Sequence, residues 1–236
     1  MRAPLQSTAW LSTQADGGTK FLGSCSVFRR RDWLITAAHC VRGTRHADLA
    51  VFAPDSEAPL RVDHIVVHPN ADVALLRLEA GSRLSDRFAG DTSLYTWGIP
   101  VSAFGYPEDT GMAGLEPTAR YFRGNIQRLF SHTSHLGYRY DAVELSFGAP
   151  GGLSGGPVSP DSDHAMVMGI VAENLTSTTH LSTISDHAVE ETLNGVLERT
   201  RTIEKVHSVI NYAIAVCLDP LTDWLNAHVP YPGADV

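Results

Sequence analysis

Three short stretches of this chain carry residue types that can do nucleophilic chemistry. The first is Gly151-Gly152-Leu153-Ser154-Gly155-Gly156-Pro157, a serine set among four glycines and a proline. A serine hydroxyl is a weak nucleophile at neutral pH, so chemistry there needs a neighbouring base and donors for a developing oxyanion. Gly152, lacking a Cβ, can take backbone angles that aim its N–H, together with that of Ser154, at one carbonyl oxygen. Gly155 and Gly156 let the chain turn away and leave the hydroxyl open. The second stretch, Trp33-Leu34-Ile35-Thr36-Ala37-Ala38-His39-Cys40, is an apolar run ending in two small residues and a histidine, a context that admits an imidazole to a tight cleft. The third, Asn70-Ala71-Asp72-Val73-Ala74-Leu75-Leu76, puts a carboxylate at the mouth of another apolar run. An unpaired desolvated carboxylate costs on the order of several kcal/mol, and a histidine Nδ1–H is a fitting partner. His64 and His68 are rivals on paper for the base, but neither has the small neighbours of His39, and both read as surface or edge residues.

Positioning three such groups falls to many brief strands, because short apolar and β-branched runs alternate with Gly, Pro, Asp and Ser clusters. Candidate strands cover 21–28, 33–36, 49–52, 61–67 and 73–78, then 99–104, 119–129, 138–147, 165–172 and 209–216. A polar interval at 80–92 separates the two sets, which predicts two packed β-units whose closure into barrels removes exposed edges. Asp219-Pro220 reads as N-cap and first helical residue, with Leu221, Trp224 and Leu225 on one face, predicting a helix over 220–228. Between 186 and 201, Asp186 followed by Glu190 and Glu191, with Val189, Leu193, Val196 and Leu197 at helical spacing, predicts a second helix, which Gly195 weakens.

The totals narrow the class of function. The 236 residues are 43% hydrophobic and 19% charged, an ordinary globular composition with a net charge of -8. An acidic chain argues against nucleic acid or an anionic membrane as partner, and Arg29-Arg30-Arg31 is a short solvated turn rather than a basic patch. Three cysteines, Cys25, Cys40 and Cys217, are too few for a disulfide framework and lack metal-ligand spacing. No apolar run reaches the roughly 18 residues of a membrane span, and no apolar signal core opens the chain, so a cytoplasmic protein is expected unless a leader has been removed. On that expectation the Asn174-Leu175-Thr176 sequon is chance.

Together the three stretches resemble the chymotrypsin-like serine peptidase family, marked by TAAHC around the base, a D-x-A-L-L segment around the acid and G-x-S-G-G-P around the nucleophile, in the order His, Asp, Ser. The resemblance runs from about residue 8 to residue 228. It implies an all-β fold of two six-stranded antiparallel barrels, the first within 1–92 carrying His39 and Asp72. The second, within 93–236, would carry Ser154, an insertion at 175–207 with the 186–201 helix, and the C-terminal helix. Ser154 would attack the scissile carbonyl, His39 would take its proton, Asp72 would hold the imidazole, and the Gly152 and Ser154 amides would form the oxyanion hole. No metal or organic cofactor is called for.

The same resemblance brings Cys25 and Cys40 face to face, as a disulfide or as two buried thiols. It assigns substrate binding to Gly148, Ala149, Ala172, Glu173 and Asn174. Gly148 stands where the trypsin branch has its pocket-floor Asp, so cleavage after Arg or Lys is not expected, although Glu173 could favour a basic group near the cleft. Leu153 stands where secreted members have the Asp that receives a new N-terminus, which removes that zymogen switch and points to the bacterial branches. The long insertion is expected to shape or cover the specificity pocket. Protein or peptide substrates follow. The rival readings are a protease whose cleft stays malformed until a regulatory partner arrives, and a non-catalytic binding protein on the same scaffold. An α/β-hydrolase esterase is disfavoured, because its nucleophile comes first in chain order.

Overall fold

The computed structural model describes residues 7–15, 18–54, 56–84, 90–91, 93, 95–108, 117–184, 191–193, 196–198 and 203–231. The chain divides into two compact units, Met1–Leu175 with Tyr212–Val236, and Thr176–Asn211. In the larger unit, β1 (Thr8–Ala15), β2 (Gly18–Phe28), β3 (Arg30–Thr36), β4 (Leu49–Phe52), β5 (Leu60–Val67) and β6 (Ala74–Leu78) close into a barrel in the order β1-β2-β3-β6-β5-β4. The closing pair sets Trp10 opposite Phe52, and their rings stack with centroids 3.9 Å apart. Such a cross-strand aromatic pair fixes register as well as burying area.

Next come β7 (Gly90–Asp91), β8 (Pro100–Gly105), β9 (Arg120–Thr133), β10 (Arg139–Leu145), β11 (Pro157–Pro160), β12 (Met166–Val167) and β13 (Gly169–Ile184). The short β14 (Glu191–Leu193) and β15 (Val196–Glu198) and the long β16 (Ile203–Cys217) complete the set. Six of these form a second ring in the order β10-β16-β13-β11-β8-β9, while β7 and β12 make a small parallel pair.

One apolar cluster fills the first barrel around Leu11, Leu34, Leu49 and Leu76, and another fills the second around Val101, Leu145, Leu153 and Val171. A third joins the two, with Ile35, Val73 and Leu75 from the first against Ala142, Ile170 and Val216 from the second. The C-terminal helix Thr222–His228 adds Leu225, fully buried, to this third cluster. Asp219 does not cap that helix; Asp219–Leu221 form a 3-10 turn, and Asp219 O accepts from Thr222 Oγ1 at 2.7 Å. The proline beside it explains the tighter turn, since Pro220 fixes φ and has no N–H to give.

Two strands of the rings escaped the sequence pattern. In β1 the residues Thr8 and Ser12 are buried along with Ala9 and Leu11, so hydrophobic alternation does not mark it. In β11 a proline stands at each end of four residues, which reads as a turn.

The smaller unit contradicts the helix expected over 186–201. Its described residues there are strands, with Glu191, Thr192 and Leu193 paired antiparallel to Glu198, Leu197 and Val196. The two residues between the paired Leu193 and Val196 are Asn194-Gly195, the dipeptide that two-residue hairpin loops favour. That turn signal outweighs an apolar spacing short enough to fit either period. Within the same unit Thr176 Oγ1 donates to Asn211 Oδ1 at 2.9 Å.

Candidate active site

Strand register brings the base and the acid together. Thr36 pairs with Ala74 across β3 and β6, so His39, just beyond one strand, and Asp72, just before the other, emerge at the same barrel end. The one-turn helix Ala38–Val41 then presents His39. Asp72, 1% exposed, takes both hydrogen bonds this histidine can give it: from the His39 backbone N–H to Oδ1 at 2.9 Å, and from the ring at Nδ1 to Oδ2 at 2.7 Å. Burial works against the imidazolium, but the bonded Asp72 carboxylate and the neighbouring Cys40 outweigh it and hold the His39 pKa up at about 10.

His68 supports the acid from behind, a role its sequence context did not announce. Its Nδ1 accepts from the N–H groups of Asn70 at 3.1 Å and Ala71 at 2.8 Å, while its own N–H donates to Val73 O at 2.9 Å. These bonds shape the turn that carries Asp72. Partial burial, with the charge of His228 nearby, holds the His68 pKa below its ordinary value. His64, by contrast, is an exposed β5 residue.

Ser154 lies across a gap that Cys40 bridges to this pair. Cys40 Sγ touches both sides of the gap, 3.7 Å from His39 Nε2 and 3.6 Å from the Ser154 carbonyl oxygen that accepts from it. The Ser154 hydroxyl itself donates to Ala172 O at 3.3 Å rather than to His39. The loop around it is clamped by Ser24, a fully buried residue that sequence reasoning missed. Ser24 N–H donates to Ser154 O at 2.8 Å, its Oγ donates to Gly152 O at 2.8 Å and accepts from Tyr106 N–H at 2.8 Å, and Thr36 Oγ1 donates to Ser24 O at 2.7 Å. A lone serine inside β2 gives no pattern by which to find it.

The glycines act by geometry. Gly152 has φ of +86°, in the left-handed region, and Gly155 has φ of +84° with room for no Cβ: one added there would lie 2.0 Å from Ser24 O. Gly151 O accepts from Glu108 N–H at 2.7 Å and Gly152 O from Ser24, so these carbonyls are turned to other partners. Neither the Gly152 nor the Ser154 N–H donates a hydrogen bond among the described residues. Leu153 is fully buried in the core of the second ring.

Of the residues expected to bind substrate, Ala172 touches Ser154 directly, and Ala149 N–H donates to Asn174 Oδ1 at 3.0 Å. Gly148 precedes Ala149 and offers no side chain. Glu173 faces His132 and His135. All three cysteines are free and buried, and the Cys40 sulfur is turned to Ser154 and His39. Burial, with Cys40 close by, pushes the Cys25 thiol strongly upward in pKa and keeps it protonated. Among the described residues no cluster could hold a metal ion, and no helix is long and apolar enough to cross a membrane.

Comparison with solved structures finds the same fold at low identity. The Rv3671c protease from M. tuberculosis in its active form superposes with a TM-score of 0.61 at 18% identity, covering 94% of this chain and 80% of that one. Its inactive form gives 0.58 at 18%, covering 95% and 89%. The HtrA-type protease AlgW with a decapeptide gives 0.62 at 14%, covering 97% of this chain and 66% of that one. A search of curated proteins returns no match. The family assignment comes from the sequence: the model of the trypsin-like peptidase domain matches residues 23–170, more than half the chain and all three stretches that carry His39, Asp72 and Ser154, so the chain belongs to the trypsin-like peptidase family.

Proposed function

We propose that the chain is a serine endopeptidase acting on proteins or peptides through Ser154, His39 and Asp72. The observation that carries this is a buried carboxylate holding the Nδ1 of a histidine at 2.7 Å, near a serine on a glycine loop whose Gly152 and Ser154 amides donate to no described residue. The substrate carbonyl meets Ser154 Oγ, and His39 Nε2 takes the hydroxyl proton as the C–O bond forms. Negative charge moves to the carbonyl oxygen, where the Gly152 and Ser154 N–H groups receive it; one such donor is worth about 10²–10³ in rate. The intermediate collapses with His39 returning the proton to the leaving amine, and water then cleaves the acyl-enzyme by the same steps in reverse roles. Asp72 keeps the imidazole in the tautomer that exposes Nε2 and stabilises the imidazolium. A substrate N–H reaching Ala172 O would compete for that carbonyl and free the Ser154 hydroxyl to swing to His39, a rotamer change on the ps–ns scale. The HtrA-type protease AlgW is solved with a decapeptide, in keeping with a peptide ligand for this chain.

A second reading is favoured by the same detail. With Ser154 on Ala172 and Cys40 Sγ against His39 Nε2, the resting cleft is disengaged, and a partner or substrate would have to engage it. Cleavage of an unbiased peptide mixture, with Ser154→Ala as control, tests both. Products that vanish in the variant establish the peptidase. Cleavage only after addition of a second protein establishes gating, and no cleavage with any addition rejects both readings.

A further inference from the structure

Glu173 carries more than its place in the strand requires. It directly follows Ala172, whose carbonyl takes the Ser154 hydroxyl, and its side chain is only 18% exposed. Its two carboxylate oxygens have unlike partners. One, Oε2, meets His132 Nε2 at 3.0 Å, and the His132 ring is wedged between Phe130 and Tyr140, at centroid distances of 5.6 and 5.4 Å. The other, Oε1, has among the described residues only His135 Nδ1 at 3.4 Å, on a side chain that is 76% exposed. The Tyr140 hydroxyl is buried without a hydrogen-bond partner among the described residues, and that burial, with the charges of Glu173 and Asp72, holds its proton in place. One oxygen is therefore fixed by a packed ring, while the other is covered by a group that water can replace at little cost.

We infer that Glu173 Oε1 is the recognition point for a guanidinium or ammonium group of a peptide substrate, bound on the acyl side of the cut and displacing His135. The inference rests on the serine peptidase reading above. β13 is paired to β11 through Gly169 and Ile170, and Val171 still exchanges backbone bonds with Gly155 and Gly156, so the edge offered to an added strand begins at Ala172. A peptide lying antiparallel on that edge, with the residue under attack opposite Ala172, sets the preceding residue opposite Glu173. Side chains alternate along a strand, so the second and fourth residues before the cut share the face of Glu173. His132 remains as the fixed donor, which keeps the carboxylate aimed while the substrate cation closes on its free side. Bidentate or charge-assisted hydrogen bonds of this kind are roughly twice as strong as neutral ones.

Two peptide series differing only by arginine against citrulline, its uncharged isostere, at the second or fourth residue before the cut would test this. The wild type should prefer arginine at one of these positions by about tenfold in kcat/KM, the scale of one partly exposed charge-assisted bond. In Glu173→Gln that preference should fall to within about twofold, and in Glu173→Arg it should reverse in favour of a glutamate-containing peptide. The ratio for matched substrates cancels any loss of folded enzyme. Equal rates for the two peptides in the wild type, or an undiminished ratio in Glu173→Gln, overturn the inference. Should the wild type neither cleave nor react with a fluorophosphonate, alone or with added protein, the peptidase reading itself has failed, and titration with acetyl-arginine amide decides the site alone. Saturable shifts of the His132 and His135 imidazole resonances with the arginine amide and none with the citrulline amide support it; equal response to both, or none to either, removes it.

Discussion

His39 and Asp72 meet through two hydrogen bonds at 2.9 and 2.7 Å, with the carboxylate 1% exposed, whereas Ser154, on the other side of the same gap, turns its hydroxyl to Ala172 O. The first half is assembled by strand register and has nothing left to organise. The second half is held by its backbone, through Ser24, and leaves its hydroxyl on a carbonyl oxygen and the Gly152 and Ser154 amides without a described acceptor. A buried charge has to be paired in every state of the protein, while a hydroxyl can wait on a carbonyl at little cost. On this account acid and base are fixed features of the fold, and engagement of the serine is the step that substrate completes.

The comparison can be broken most severely from the rigid side. Asp72→Asn should keep the fold yet lower kcat by about 10⁴, because an amide at this place favours the wrong imidazole tautomer; steady-state rates on any cleaved peptide measure it. A loss under about tenfold would mean that the His39–Asp72 pair is architectural only. On the mobile side, Ser24→Ala removes the Oγ that joins Tyr106 N–H to Gly152 O. It should cost about 1–3 kcal/mol of stability in denaturant unfolding. Loosening the amides should also lower kcat by roughly tenfold to a hundredfold with KM little changed. The smallest effect concerns His68. Its pKa is lowered on folding, so the stability it brings is present above the unfolded value of about 6.5 and is lost as pH falls through the lower folded value. Protonation puts a hydrogen on the Nδ1 that accepts from Asn70 and Ala71, and His68→Gln should flatten the fall of Tm on acidification. His39 adds no slope in that range: its pKa is raised to about 10, so its contribution is complete below 6.5 and disappears as pH rises through about 10.

Chemistry was more legible in this sequence than architecture was. The demands on His39, Asp72 and Ser154 are local, with small neighbours for a ring, an apolar run behind a carboxylate and glycines around a hydroxyl, so each leaves a mark within a few residues. Ser24 acts across the fold, and His68 within its own turn, on backbone groups that no residue pattern names. The apolar spacing of Leu193, Val196 and Leu197 fits a helix as well as a hairpin over so few residues, and only the Asn-Gly dipeptide distinguishes them. The strand β1 was hidden because its buried positions include serine and threonine.

The account stands or falls on one base serving one nucleophile. Labelling with a fluorophosphonate probe across a pH series, with the adduct located by mass spectrometry, reads both partners at once. The account predicts modification at Ser154 whose rate climbs with pH along a limb displaced above 6.5, because His39 must lose a proton that Asp72 holds, and that falls by orders of magnitude in His39→Ala. Labelling at another residue, or at Ser154 with a rate indifferent to His39→Ala, would contradict it.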